Sequence, residues 1–381
     1  MISEKLLLFV TCAPLLESLL LEELKELGVP HAHVGYRGVF VDQWDWATIY
    51  KINYGSRIAS RVLLPLSRFK VFDRHTLYKQ IFEMNWLPLF KEGRTFAIDA
   101  NVKHRELRNG LFAAQVVKDA ICDQMREKAG RRPSIDVSEP DIQLNLFIQN
   151  TAGLISFDTS GTPLHKRGYR QESVEAPIQE SLAAAILRLA KYQRDQILLD
   201  PCCGSGTFLI EAALMATQTP PGYLRQRWGF MRHPAFKIEE WLAVRNKLDQ
   251  GRLSMLPQHL FGVDVSKNAV RAAKINLKAA GFLNSIEVVQ GDFREFTPRI
   301  SPNLIVTNPP YGNRLEDENL LRPFYRALGD FMKQKAEKPA RGFVFTGNLE
   351  LAKEVGLAAK QRHVLSSGGI DARLLEYDLY E

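Results

Sequence analysis

Two hydrophobic rhythms divide the chain. In the first, leucines at 15, 16, 19, 20, 24 and 27 follow the spacing of a helix with one buried face over Pro14–Leu27, and Gly28 stands where that helix must stop. Lys5–Thr11, Gly38–Val41, Val62–Leu66 and Thr95–Val102 read as strands, and Gly110–Lys128 reads as a long helix closed by Gly130. Ile142–Gln149 and Leu154–Asp158 predict a hairpin across Asn150–Gly153. Strands and helices do not alternate strictly here, which predicts an α+β module over residues 1–160.

The second rhythm begins after Ser160–Arg170, a stretch rich in Gly, Pro and positive charge that predicts a hinge, with 161–177 as a basic linker. From there apolar strands and helices take turns. Helix Ile178–Lys191 precedes strand Ile197–Asp200 and helix Thr207–Ala216. Strand Leu260–Asp264 precedes helix Lys267–Ala280. Strands Ile286–Gln290, Leu304–Thr307 and Gly342–Thr346 follow, with a helix over Leu320–Gln334 and a terminal hairpin of His363–Leu365 with Arg373–Leu379. Short apolar strands alternating with helices predict a doubly wound, mostly parallel α/β domain over 178–381. Residues 217–259, with Pro220-Pro221-Gly222 and Trp228-Gly229-Phe230, break that rhythm and read as an insertion outside the sheet.

Composition narrows the class. Apolar residues make up 45% and charged residues 24%, the balance of a globular protein rather than a disordered one. No apolar run reaches the roughly 18–20 residues that span a bilayer, and Leu6–Val10 is too short for a signal segment. The four cysteines, Cys12, Cys122, Cys202 and Cys203, have neither disulfide-framework nor zinc-ligand spacing, so no metal is expected and a reducing cytoplasm is the expected compartment. The formal net charge is +7, and between Lys51 and Arg108 12 Lys and Arg stand against 5 Asp and Glu. The whole excess therefore sits in one N-terminal stretch. Such a cluster is either a solvated basic face or the footprint of a polyanion. Arg57, Arg61, Arg68, Lys70, Lys103, Arg105 and Arg108 are its candidate phosphate contacts, and Lys166, Arg167 and Arg170 of the linker extend it.

The candidate chemistry lies at strand ends. Asp200-Pro201-Cys202-Cys203-Gly204-Ser205-Gly206-Thr207 closes a buried strand and opens a helix, and its two glycines let backbone approach a ligand. It is not the dinucleotide fingerprint, since Leu209 occupies the third glycine position, nor a phosphate loop, since no lysine follows. Asp264 ends the next strand, where a carboxylate can accept from both hydroxyls of a ribose. Asp292 ends the third and can accept from an adenine amino group, with Phe293 placed to stack near the ring. Three such sites on one sheet edge predict a nucleoside-type cofactor.

The segment Asn308-Pro309-Pro310-Tyr311 leaves a buried strand directly. The prolines hold the backbone extended and leave the Pro309 carbonyl to accept, with the Asn308 amide oxygen as a second acceptor. Together they match the two hydrogens of a planar exocyclic amine, and Tyr311 offers a flat surface for its ring. Accepting both hydrogens in a dry pocket returns electron density to a nitrogen attacking a methyl group.

On these residues the second part resembles class I S-adenosylmethionine-dependent methyltransferases of the amino-methylating Asn-Pro-Pro-Tyr type. The whole chain, including Leu164-His165-Lys166-Arg167-Gly168-Tyr169-Arg170, resembles bacterial THUMP-domain RNA methyltransferases that make N2-methylguanosine in large-subunit ribosomal RNA. The resemblance implies a Rossmann-like catalytic domain preceded by ferredoxin-like and THUMP modules, S-adenosylmethionine as cofactor and RNA as partner. It implies that Asp200, Pro201, Cys203, Gly204, Gly206 and Thr207 line the methionine side. It further implies that Asp264 takes the ribose, Asp292 and Phe293 the adenine, and Asn308 to Tyr311 the target base, with Asn308 bordering the cofactor as well. Cys202 departs from the family's usual residue, and a cysteine nucleophile is the weaker reading because the loop faces the cofactor. A tRNA guanosine, a DNA adenine N6 and a protein glutamine amide remain alternative substrates.

Overall fold

The computed structural model describes residues 6–380 apart from 92, 108, 176, 313–314 and 368–369. The described chain forms two compact units. The first comprises the residues up to Cys12, Leu20–Leu164 and Arg225–Asn246, and the second comprises Ala13–Leu19, His165–Leu224 and Lys247–Glu381.

In the first unit, strands β1 (Leu8–Thr11), β2 (Ala32–Gly35), β3 (Gly38–Val41), β4 (Arg61–Lys70), β5 (Thr95–Lys103), β6 (Ser134–Ile135), β7 (Ile142–Gln149) and β8 (Ala152–Asp158) make one eight-stranded sheet. Its order is β2-β3-β1-β4-β8-β7-β5-β6. Helices α1 (Glu17–Glu26), α2 (Trp46–Gly55), α3 (Arg74–Phe82) and α4 (Gly110–Ala129) accompany it. The alternation in β7 buries Ile142, Leu144, Leu146 and Ile148 and turns their neighbours outward, the mark of a sheet covered on one face. Asp45, Asp73 and Asn109 cap α2, α3 and α4 through their side chains, so these helices start where a short polar acceptor meets free N–H groups.

The segment 225–246 folds with this first unit. Phe230 N–H donates to the Thr159 carbonyl at 2.8 Å, and Tyr50 packs against Phe230 and Trp241 with centroids 4.8 and 5.9 Å apart. Aromatic burial, not strand pairing, holds it: it adds α7 (Ile238–Asp249) and no strand.

The second unit carries α5 (Glu180–Leu189), β9 (Leu198–Asp200), α6 (Thr207–Ala216), β10 (Leu260–Asp264), α8 (Lys267–Ala279), β11 (Glu287–Gln290) and β12 (Leu304–Thr307). It continues through α9 (Leu315–Lys335), β13 (Ala340–Thr346), α10 (Leu349–Lys353), β14 (Gln361–Ser367) and β15 (Ile370–Leu379). Its seven strands run β11-β10-β9-β12-β13-β15-β14, parallel from β11 to β13, with antiparallel β15 and β14 on one edge. This is the doubly wound, mostly parallel sheet expected. No helix among the described residues is long and apolar enough to cross a membrane.

The hinge expected over 160–170 is not a solvated one. Tyr169 and Arg167 are buried, and Arg170 donates to Glu180, Ser205, the Ile178 carbonyl and Thr207 at 2.7 to 3.1 Å. Two of the three cations assigned there to a polyanion are therefore engaged inside the second unit.

Candidate active site

Chain order reverses between β9 and β12, and in an open parallel sheet the crevice outside the carboxyl ends at such a point is where ligands sit. A cleft of about 1030 Å³ opens there. Asp200 from β9, Asp264 from β10, Asp292 beyond β11 and Asn308 to Tyr311 beyond β12 all line it. So do Pro201, Cys203, Gly204 and Thr207, and the segment before α5 contributes Glu172, Val174 and Ile178.

Asp200 is buried and accepts the Cys202 N–H at 3.1 Å. Loss of water, with the Asp264 charge adding to it, pushes its pKa up to about 7 against the pull of that N–H. Gly204 and Gly206 take left-handed backbone at φ +52° and +81°, where an L side chain is strained. Their turn delivers Gly204 N–H to Asp264 Oδ2 at 2.9 Å, while Asp264 Oδ1 accepts Ser266 N–H at 2.9 Å. The carboxylate thus ties loop to strand and keeps lone pairs for a ligand diol. Burial pushes the Cys202 and Cys203 thiols well above their usual range, so both are neutral and neither is a ready nucleophile.

Asp292 lines the cleft as expected, whereas the Phe293 ring is placed differently from the expectation. Arg294 clasps Asp292 through Nε at 2.9 Å to each oxygen, which together with the Arg294 N–H holds the carboxyl below its usual range. Phe293 is 4% exposed and packs edge-to-face on Phe324 and Phe331 at 5.1 and 5.5 Å. Its ring is a core element that closes the floor of the cleft, so a stacking face for adenine is not what it presents. The reason is the core around it, which sequence spacing does not reveal.

Asn308 leaves β12 with its Oδ1 buried and without a hydrogen-bond partner among the described residues. A buried amide oxygen left unmet is costly and points to a partner that arrives with a ligand. Tyr311 is half-buried on the same cleft, and Asn348 Nδ2 reaches its carbonyl at 3.5 Å. Acceptors at successive strand ends around a glycine-opened turn suit a nucleoside ligand that carries positive charge.

The sequence reading missed Asn276. It is a polar residue on the buried stripe of α8 among Ala269, Ala272, Ala273 and Leu277, and that misplaced polarity is the signal that marks it. Its Oδ1 accepts the Gln171 and Glu172 N–H groups at 2.8 and 3.0 Å, and its Nδ2 donates to the Glu172 and Ser205 carbonyls at 2.8 and 3.1 Å. One amide thereby fastens the segment before α5 to the glycine turn.

Of the basic candidates in the first unit, Arg61 pairs with buried Asp158, while Arg68, Lys70, Lys103 and Arg105 are exposed and Arg57 is half-buried. Arg108 lies outside the described residues. In the linker Lys166 is exposed, whereas Arg167 is buried against Glu211. Among the described residues no cluster has the make-up of a metal site.

Both units resemble known proteins. A family model described as an RMKL-like methyltransferase domain matches residues 167–375, a THUMP domain model matches 73–158, and a model of the RlmL ferredoxin-like domain matches 7–63. A Synechocystis sp. protein named as an RNA methyltransferase is 35% identical over 98% of this chain and 96% of its own length. The ribosomal RNA large subunit methyltransferases K/L of Syntrophotalea carbinolica and Pseudomonas aeruginosa are 38% and 36% identical. The alignments cover 98% and 97% of this chain but only 53% and 52% of theirs, so the chain spans about half the length of those two relatives. Among solved structures, SMU.472, named as a methyltransferase and solved with SAH, superposes with a TM-score of 0.86 at 26% identity over 98% of both chains. A Listeria monocytogenes protein described as a predicted N6-adenine-specific DNA methylase gives 0.84 at 27% identity, over 98% of this chain and 96% of its own.

Proposed function

This chain belongs to the RMKL-like methyltransferases and carries a THUMP domain, and from that premise we propose that it methylates the exocyclic N2 amine of a guanosine in large-subunit ribosomal RNA. Enzymes of this family use S-adenosylmethionine, which supplies an electrophilic methyl group on a sulfonium. Asp264 accepts from the ribose hydroxyls and Asp292, steadied by Arg294, accepts from the adenine amine. Asp200 and the Gly204–Gly206 turn border the methionine arm.

One observation carries the chemistry: the Asn308 amide oxygen, buried and unmatched at the end of β12. An amine conjugated to a ring is a poor nucleophile because its lone pair is delocalised. Asn308 Oδ1 and the Pro309 carbonyl accept its two hydrogens, which orients the nitrogen and favours density on it as it attacks in line. Tyr311 holds the plane of the base. The prolines cannot donate, so neither of them competes for the two acceptors.

The acceptor pair suits any exocyclic amine, so ribosomal RNA as substrate is supported by the named relatives and the basic stretch of the first unit, and guanine N2 by the resemblance of the Asn308–Tyr311 segment. Mass spectrometry of nucleosides from ribosomal RNA, transfer RNA and DNA, with the gene deleted and restored, decides it. Loss and recovery of N2-methylguanosine in the large-subunit RNA is the expected result. The same change in transfer RNA, or a change in N6-methyladenine, overturns the assignment.

A further inference from the structure

Strands β12 and β13 run parallel with Thr307 opposite Val344 as their last pair, and β13 continues to Thr346 at the end from which Asn308–Tyr311 departs. Two residues on, Asn348 caps α10. Both ends of its side-chain amide are assigned. Oδ1 accepts the Glu350 and Leu351 N–H groups at 3.0 and 3.1 Å. An amide whose oxygen takes two N–H groups has its nitrogen on the other side, and that nitrogen lies 3.5 Å from the Tyr311 carbonyl. Capping accounts for the oxygen and leaves the nitrogen to the turn. Asp and Ser cap a helix as well as Asn does, but neither carries an amide nitrogen.

Asn348 is itself held. Thr346, fully buried, accepts the Asn348 N–H at 3.0 Å and donates to the Asn348 carbonyl at 3.4 Å, and its Oγ1 lies 3.1 Å from the Tyr325 hydroxyl. A hydroxyl has one proton, so with that proton given to Asn348 the Tyr325 hydroxyl is the donor. Tyr325 is buried in the core of the second unit, and the Tyr311 side chain packs against that same core. Tyr311 is thus gripped twice, by packing on its ring and by Asn348 at its carbonyl. The distance of 3.5 Å is long for a hydrogen bond, and bonds of this kind in a substrate-free site tighten when the substrate seats.

We propose that Asn348 is a positioning residue for methyl transfer: by holding the Tyr311 carbonyl it sets the tilt of the Tyr311 ring, and so the plane in which the target base meets Asn308. The proposal rests on the reading that Asn308–Tyr311 receives the base. It goes beyond that reading by adding a residue from the neighbouring strand end that touches neither base nor cofactor. A reacting nitrogen displaced by about 1 Å loses on the order of a hundred-fold in rate, so a small rotation of this turn is felt at the reaction.

The test uses the full chain and total RNA from a strain lacking its gene, with single-turnover rates at saturating RNA and S-adenosylmethionine. Asn348→Asp and Asn348→Ser keep the cap and lose the amide nitrogen. Both are expected to melt with the wild type and to slow methylation about ten-fold, the order of one lost hydrogen bond, with unchanged affinity for RNA and S-adenosylhomocysteine. Tyr311→Ala is expected to be slower still, and adding Asn348→Ser to it should change nothing more, because residues that act through one another are not additive. Should a cap variant melt early, the double variant still decides. Wild-type rates in both Asn348 variants, or additive losses in the double variant, overturn this proposal alone. A wild-type rate in Tyr311→Ala overturns the base platform, and no methylation by the wild type overturns the RNA reading, and either takes this proposal with it.

Discussion

Arg167 and Glu211 lie 3.5 Å apart inside the second unit, with side-chain exposures of 1% and 0%, and the Tyr169 hydroxyl donates to the same Glu211 oxygen at 2.9 Å. A guanidinium so placed has left the solvent and cannot meet a phosphate. Breaking such a pair from one side strands the other charge, so Glu211→Ala should cost about 3–5 kcal/mol. Exchanging both for apolar residues, as in Arg167→Met with Glu211→Leu, should cost far less. Calorimetric melting of the three proteins checks this. The salt slope of RNA binding should be the same for the wild type and the double variant, and a flatter slope in the double variant would return Arg167 to the RNA surface.

Asn308→Ala should lower single-turnover methylation by a hundred- to a thousand-fold, about 3–4 kcal/mol, because it removes an acceptor used most in the transition state. Affinity for S-adenosylhomocysteine should stay the same. Asp264→Ala should do the reverse, weakening S-adenosylhomocysteine and loosening the Gly204 turn it holds. Calorimetric titration beside single-turnover rates separates the two. A near-normal rate in folded Asn308→Ala would place the chemistry elsewhere.

Asp200 sets a pH dependence of stability. Its pKa rises from 3.8 to about 7 on folding, so between those values the folded protein keeps a proton that the unfolded chain has lost. Its contribution to stability is therefore full below about pH 4, is lost as pH rises through 7, and changes no further above that. Asp200→Asn does not ionise. Its melting temperature should gain on the wild type between about pH 4 and pH 7 and then level off, and parallel curves across that window would show that Asp200 is already ionised in the folded protein.

Asn276→Leu removes four hydrogen bonds that fasten the segment before α5 to the glycine turn. The expected result is about a ten-fold weaker affinity for S-adenosylhomocysteine, an order set by one lost polar contact of about 1.4 kcal/mol. RNA affinity should be unchanged. A lower melting temperature with unaltered S-adenosylhomocysteine affinity would reduce Asn276 to a packing residue.

Much of the architecture is legible in the sequence itself. Strand Leu304–Thr307 and helix Thr207–Ala216 fall where their apolar runs and flanking breakers put them. The gathering of Asp200, Asp264, Asp292 and Asn308 on one cleft follows from strands that alternate with helices, because a parallel sheet delivers every strand end to the same edge. Helices α2 and α3 were not read, since their apolar positions are interrupted by aromatic and polar residues that only tertiary burial reconciles.

What the linear pattern determined on its own was local: the period of each segment, where glycine and proline end it, and which residue types stand at strand ends. What tertiary structure decided was partnership. Arg167 and Lys166 are adjacent basic residues in sequence, yet one is buried against Glu211, 44 positions away, and the other is exposed. Phe293 and Phe72 are both aromatics near strand ends, yet one completes a core with Phe324 and Phe331 and the other stands in solvent. Periodicity reports the face a side chain takes on its own element. Whether that face meets water, an opposite charge or another ring is settled by elements distant in the chain, and the free energy of burial and pairing is decided there.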